Sequence, residues 1–400
     1  MNGPPPSPAA APRPLRRELL GMAALALGLR IALFAWATAA TGTSFTDYAR
    51  AADGYQYLAC AHAWRGDMAE LAAHPYYRRL FPGYPALIAA LAAAGMPEPA
   101  AALLPSWLAA PAVAVLAALV FGDRRVGWAM AALTPAYVFS GSLICTEALC
   151  LLLSLAGIGL LARGGRGGGG GGGSGGGGAG RAVAAGIAFG AGGLFRPVAA
   201  FAMLGAAARE LALGRRRTAA ALVLAAGVAV ASGLAAVGWR FGDPLMSLHE
   251  YAGDPGAYGG ELFTWPFKAL ATVPSTTPVA AWKLAYVAVH VLAVLAGCAW
   301  AVREWRRAAS ADQRGIAALA AVWLTGNTLY VLCIGNVWGF HDFPRFIVPA
   351  LPALFWALRG LLPRRPAVWA AIGVASVALS LEPAERRLEH PPPDAAISRH

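Results

Sequence analysis

The stretch "RELLGMAALALGLRIALFAWATAA", residues 17–40, decides the architecture. It is an almost unbroken apolar run of about 20 residues preceded by Arg13, Arg16 and Arg17, long enough to cross a bilayer as a helix. A basic start followed by an apolar run also describes a secretory leader, but this run is longer than a leader's apolar core and further runs follow. The segment is therefore expected to be an uncleaved first span that leaves from the cytoplasm.

Comparable runs recur through nearly all of the 400 residues, which are 58% hydrophobic and 13% charged, with a mean hydropathy of +0.55. Composition of this kind excludes an ordinary soluble core and predicts an all-α polytopic membrane protein of roughly 10–12 transmembrane or half-membrane helices. The 48 Gly and 29 Pro do not argue against helix, because neighbouring helices re-satisfy the backbone in a membrane. The net charge of +12 comes from arginines at the ends of apolar runs: Arg215, Arg216 and Arg217; Arg303, Arg306 and Arg307; Arg364 and Arg365. This is the pattern that keeps basic loops in the cytoplasm, and no basic face interleaves with aromatics, so nucleic acid is not an expected partner. Cys60, Cys145, Cys150, Cys298 and Cys333 form no CxxC pair, and neither a disulfide framework nor a zinc site is expected.

Residues 1–14 read as a disordered proline-rich tail and 15–381 as one membrane domain, with an external loop at 41–80 carrying short interfacial helices. Apolar segments follow at 81–95, 101–121, 127–140 and 142–162. Next comes "RGGRGGGGGGGSGGGGAGR" (163–181), a flexible cytoplasmic linker with no side chains to pack. The segment 182–213 is broken by "LFRP", which puts Arg196 at an external junction between two short helices. Spans are expected at 218–239, 280–301, 315–334, 345–361 and 366–381, with a second external loop at 240–279 and a tail at 382–400. If all three segments between 81 and 140 crossed, Glu147 would face the same side as the basic linker after it. One of them must be short, re-entrant or split.

With that topology the unusual polar residues collect on the external side. In "ADGYQYLACAHAWRG" (52–66), Asp53 and Tyr57 share one face of a short amphipathic surface helix. Asp53 reads either as the cap of that helix or as a carboxylate aimed into a site, with Asp47 nearby. In "HPYYRRLFPGYP" (74–85), Arg78 and Arg79 lie outside, against the charge trend, which suits an external anion such as a lipid phosphate; Tyr84 is a supporting candidate. Glu147 begins a span, where a helix dipole favours a carboxylate. Arg196 sits in apolar sequence before Pro197, with exposed carbonyls or an anion as its partner. His341, Asp342 and Arg345, together with His249 and Glu250, complete the external set.

Taken together, these residues resemble the GT-C superfamily of integral membrane glycosyltransferases, in particular the protein O-mannosyltransferase and aminoarabinose-transferase type and the GPI mannosyltransferase 2 type. The likeness is carried by Asp53, Tyr57 and Ala61 after a first span, "YRRLFPGYPALIAAL", "TEALCLLLSLAGIGLLAR", "AFGAGGLFRPVAAF", and Arg345, Pro349 and Pro352 in "PRFIVPALPALFWALRG", covering roughly residues 15–360. The resemblance implies an inverting transfer of mannose or a related sugar from a polyprenyl-phosphate donor, on the outer face of a bacterial cell membrane. Its acceptor would be a lipid, glycan or protein. Asp53 would be the catalytic base, and Arg78, Arg79, Arg196 and Arg345 would bind the donor's phosphate and sugar. Asp47, Tyr57, Tyr84, Glu147, His341 and Asp342 would support them. No cofactor is specified beyond a divalent metal, for which Asp47 is the only nearby acidic partner, since the chain has Asp-Gly where the aminoarabinose type has Asp-Glu. The competing expectations are a transporter or flippase of a lipid or small solute, whose charges would line a path, and a non-catalytic assembly partner of the same fold.

Overall fold

The computed structural model describes residues 16–133, 137–138, 143–144, 146–162, 176–253, 263–276, 279–335 and 338–389. The N-terminal tail, most of the Gly-rich linker and the last part of the C-terminal tail lie outside them. The protein is an all-α bundle: among the described residues there is no strand, only one isolated antiparallel bridge between Phe263 and Ile334. Among the described residues, seven helices are long and apolar enough to cross a membrane: Arg16–Thr41, Glu98–Phe121, Gly178–Phe195, Arg216–Phe241, Ala281–Arg307, Ala311–Leu332 and Pro366–Arg386. Three shorter apolar helices join them, Gly83–Ala93, Thr146–Ala162 and Phe343–Ala357.

The bundle has two chemically distinct ends. At one, Glu18 of the first helix accepts from Arg124 Nη1 at 2.6 Å, and Glu304 accepts from Arg359 Nη2 at 2.7 Å. At the other lie the short helices Phe45–Arg50, Gly54–Arg65 and Ala69–Ala73 and the turn Pro75–Arg79. Trp36, Trp239 and Trp282, all exposed, mark this second level, as interfacial aromatics do. Trp36 Nε1 donates to Glu385 Oε1 at 3.3 Å, so the last helix ends beside the end of the first.

The surplus segment between 81 and 140 is Gly83–Ala93. Eleven residues rise only about 16 Å as a helix, too little to cross. Near its start, Tyr84 donates to the Ala102 carbonyl at 2.6 Å and contacts Ser106 Oγ at 2.7 Å, one to two turns inside the next helix. Its far end leads to Glu98, which pairs with His62 of the short-helix layer. The segment therefore enters and returns at one end, and Glu147 falls at the same end as Asp53. The helix expected at 127–140 is Arg124–Ala132, capped by Asp123, whose Oδ1 accepts from the Arg125 amide at 2.9 Å.

Other boundaries differ from expectation for local reasons. The helix after the linker already begins at Gly176, and the last one continues to Glu389, held by an i,i+4 Glu382–Arg386 pair and by burial of Ala384 and Leu388. Helices approach closely where glycine permits: a Cβ on Gly186 would meet the Leu222 carbonyl oxygen at 2.5 Å, and one on Gly190 the Ala226 oxygen at 2.7 Å. The segment expected as one span at 345–361 is instead the shorter, interrupted helix Phe343–Ala357, made of the pieces Phe343–Phe346, Val348–Ala350 and Leu351–Ala357, because Pro344, Pro349 and Pro352 deny it a continuous hydrogen-bond ladder. That irregularity frees Arg345 to reach sideways. Buried ions also occur where the sequence analysis does not place them, among them Arg30, midway along the first helix, which donates to its own Ala26 carbonyl at 2.7 Å and lies 4.7 Å over the Tyr137 ring.

Candidate functional site

Asp53 precedes the Gly54–Arg65 helix but makes no capping hydrogen bond with its side chain, so the capping reading does not hold. Its Oδ2 instead accepts from Arg345 Nη1 at 3.3 Å and Nη2 at 3.4 Å. The backbone that aims it is tight: Ala52, just before it, has φ 55°, a left-handed conformation costly for a residue with a Cβ. Just after it, a Cβ on Gly54 would lie 2.1 Å from the Ala49 carbonyl oxygen. A side chain at position 54, as in an Asp-Glu sequence, would force this turn to shift, and the Gly of Asp-Gly avoids that collision. The helix itself is not a surface amphipath. Gln56, Tyr57, Leu58, Ala59, Cys60, Ala61 and Ala63 are all buried.

Glu147 is the hub. It is fully buried, and its Oε1 accepts from Arg345 Nε at 2.7 Å and from Arg196 Nη2. Arg196 Nε also donates to Thr146 Oγ1 at 2.8 Å. The sequence explains this placement. Thr146 and Glu147 open their helix, so their side chains meet no preceding turn. Arg196 falls in the break between Gly176–Phe195 and Ala199–Ala212, where Pro197 stops the ladder. Exposure grades outward, from Glu147 at 0% through Arg196 at 17% and Arg345 at 27% to Asp53 at 33%. Asp342 Oδ2 adds a longer contact to Arg345 Nη1 at 4.0 Å.

Tyr57 stands behind Asp53, buried and within electrostatic reach of Arg196, Asp53, Glu147 and Arg345; burial raises its phenol well above the usual range, so it stays protonated. His341 adjoins Asp342 and Lys283, and desolvation together with the Lys283 charge lowers its imidazole pKa against the opposing pull of Asp342. Arg79 lies 5.2 Å over the Tyr76 ring, and its charge reaches Tyr251.

The other candidates fall elsewhere. Asp47 closes a capping box with Ser44, accepting from its amide at 3.0 Å and its hydroxyl at 2.7 Å. Tyr84 is buried against Ala102 and Ser106, its ring 5.6 Å from that of Tyr57. Arg78 sits half-buried on the Pro75–Arg79 turn, and it is Arg79 whose charge reaches Tyr251. His249 pairs with Asp243 at 2.8 Å. A surface groove of about 490 Å³, lined by Trp64, Arg65 and the alanine face of Gly83–Ala93, lies at the opposite end of the Gly54–Arg65 helix from Asp53 and contains no carboxylate.

Two neighbours were missed by sequence reading. Tyr251 follows the His249 and Glu250 that the sequence singles out, and Lys283 opens a long apolar helix within electrostatic reach of Asp342 and His341. Neither carries a motif, and only the packing of distant segments reveals them. A divalent metal does not fit the residues present: Arg345 already bridges Asp53 and Glu147, and among the described residues no three His, Cys, Asp or Glu side chains cluster to hold one. The arrangement can instead hold an anion at its guanidiniums and offer a carboxylate base beside it. No protein-family model and no curated protein matches the chain.

Proposed function

We propose that the protein is a glycosyltransferase that moves a sugar from a polyprenyl-phosphate donor to an acceptor hydroxyl. The observation that carries this reading is the convergence of a part-exposed Asp53 with the guanidiniums of Arg345 and Arg196, from three sequence-distant segments, around the buried Glu147. Arg345 grips Glu147 at 2.7 Å and Asp53 only at 3.3–3.4 Å, so an arriving phosphate oxygen competes most easily for the Asp53 arm. Capture of the phosphate then frees Asp53 as base.

In the transfer, the acceptor oxygen bonds to the anomeric carbon from the face opposite the phosphate, and its proton passes to Asp53. The bond between the anomeric carbon and the phosphate oxygen breaks, and polyprenyl phosphate leaves with one further negative charge. Arg345 and Arg196, held by Glu147 and Thr146, stabilise that charge without having to reorganise. The arginine-rich end of the bundle supports a cytoplasmic assignment for itself and, with it, a site that faces outward.

The test is to reconstitute the full chain in lipid with a panel of polyprenyl-phosphate sugars and to measure release of polyprenyl phosphate. Asp53→Asn is expected to slow release by roughly 10²- to 10⁴-fold with donor binding retained. No turnover with any donor, or turnover that survives in Asp53→Asn, sinks the reading. Movement of labelled solute across the bilayer without a new glycosidic bond would establish transport in its place.

A further inference from the structure

The helix Met246–Gly253, from a loop to which sequence patterning assigns no element, packs on the segment between Arg79 and Gly83, and a Cβ on Gly83 would lie 2.9 Å from the Leu194–Phe195 backbone, just before Arg196. Ser247 Oγ donates to the Leu80 carbonyl at 2.9 Å, which ties the helix to the residue next to Arg79. One turn on, the Tyr251 ring lies 6.5 Å from that of Phe81, tilted by 32°. The approach to the helix is stiffened by Asp243, which accepts from the Leu245 amide at 2.9 Å and from His249 at 2.8 Å. So placed, the Tyr251 phenol lies within electrostatic reach of Arg79, Arg196, Asp53 and Arg345, groups from four separate segments. Tyr330, in the Ala311–Leu332 helix, lies within electrostatic reach of both Arg196 and Tyr251.

The charge balance explains why a phenol is useful there. Asp53, Glu147 and Asp342 oppose Arg79, Arg196, Arg345 and the Lys283 that lies within reach of Asp342, three carboxylates against four cations, so the net charge that draws a monoanionic phosphodiester is small. A neutral donor adds a hydrogen bond without disturbing that balance, and it gains strength when the phosphate acquires its second charge. Resting on the glycosyl-transfer reading, we propose that Tyr251 is a substrate-contacting residue. It donates a hydrogen bond to the phosphate oxygen that gains charge as the sugar departs, alongside Arg79. Burial raises the Tyr251 phenol above its ordinary value, which keeps the proton available for donation across the physiological range.

The experiment compares wild type, Tyr251→Phe and Tyr251→Ala of the full chain in nanodiscs by turnover, by binding of polyprenyl phosphate and by thermal unfolding. Loss of a hydrogen bond to a charged oxygen predicts that Tyr251→Phe lowers kcat roughly 10- to 100-fold, with a much smaller change in KM and an unchanged unfolding midpoint. Tyr251→Ala should in addition raise KM, because the ring that walls the site is gone. A Tyr251→Phe variant with wild-type kcat and wild-type affinity for polyprenyl phosphate overturns the inference. If wild type binds polyprenyl phosphate but transfers no sugar, the transferase reading fails alone, and weaker binding by Tyr251→Phe still upholds the contact. If wild type does not bind it at all, both fall.

Discussion

The two ends of the bundle use the same residue types in opposite ways. At the arginine end, carboxylates pin helix termini or meet guanidiniums close by in the chain: Glu18 with Arg124, Glu304 with Arg359, and the buried Glu210 with Arg209 and Arg215, one and five residues away. Asp123 likewise pairs with Arg125, two residues apart in the chain. At the site end a single fully buried carboxylate, Glu147, is shared by two guanidiniums that lie 49 and 198 residues away in sequence, and one of those also holds Asp53. Part-exposed pairs are screened and worth little, whereas a buried hub leaves uncompensated charge when one member is removed. The difference lies in reach: the site end gathers its charges from distant segments around one carboxylate, whereas Glu210 at the arginine end is satisfied by its own neighbours in the chain.

The strongest way to break the comparison is to neutralise one carboxylate at each end. Glu147→Gln should cost about 3 kcal/mol, because Arg196 and Arg345 then lose their shared counter-charge in a buried setting. Glu304→Gln, whose partners are both part-exposed, should cost about 0–1 kcal/mol. Unfolding midpoints in lipid read both. Equal costs would mean that the Glu147 cluster is no more than another helix pin.

The fold was largely legible because it is written in long apolar runs and in the arginines that end them. The bends at Arg196 and Arg345 were legible for a related reason, since Pro197 and the Pro344, Pro349 and Pro352 series announce where a helix ladder fails. The re-entrant segment was legible only as a fault in side counting; which segment it was depends on Tyr84 reaching Ala102, a tertiary contact. Glu147 looked like a dipole-favoured helix start, and nothing local says that two arginines converge on it. Tyr251 was invisible because a tyrosine in a loop has no periodic signature. Asp47 misled for the converse reason: its local capping box with Ser44 accounts for it within four residues.

A smaller effect sharpens the comparison at the turn that aims Asp53. Gly54→Ala forces a methyl group to within 2.1 Å of a backbone oxygen, which cannot swing away as a side chain would. Overpacking of this kind costs roughly 1–3 kcal/mol, and any relief that shifts the Ala49 to Asp53 turn moves the carboxylate off Arg345. Donor turnover should therefore fall more steeply than stability. Ala52→Gly acts in the opposite direction, relieving the left-handed backbone at φ 55° for a gain of about 1 kcal/mol. If Gly54→Ala left turnover intact, the tight turn would have no part in positioning Asp53.

The smallest expected effect is a pH response confined to the site end. His341 has its pKa held below 6.5 by desolvation and by Lys283, against Asp342. In the unfolded chain the same imidazole titrates at its ordinary value, so as pH falls below about 6.5 the unfolded state takes up its proton first. The stability associated with neutral His341 is complete above that pH and declines as pH drops towards the folded-state value. An unfolding series from pH 7.5 to 5 should show this decline in wild type and a shallower one in His341→Asn. The same series on Glu304→Gln, at the arginine end, should run parallel to wild type. A His341→Asn curve that also runs parallel to wild type would remove His341 from the electrostatics of the site and leave Asp342 to link Lys283 with Arg345.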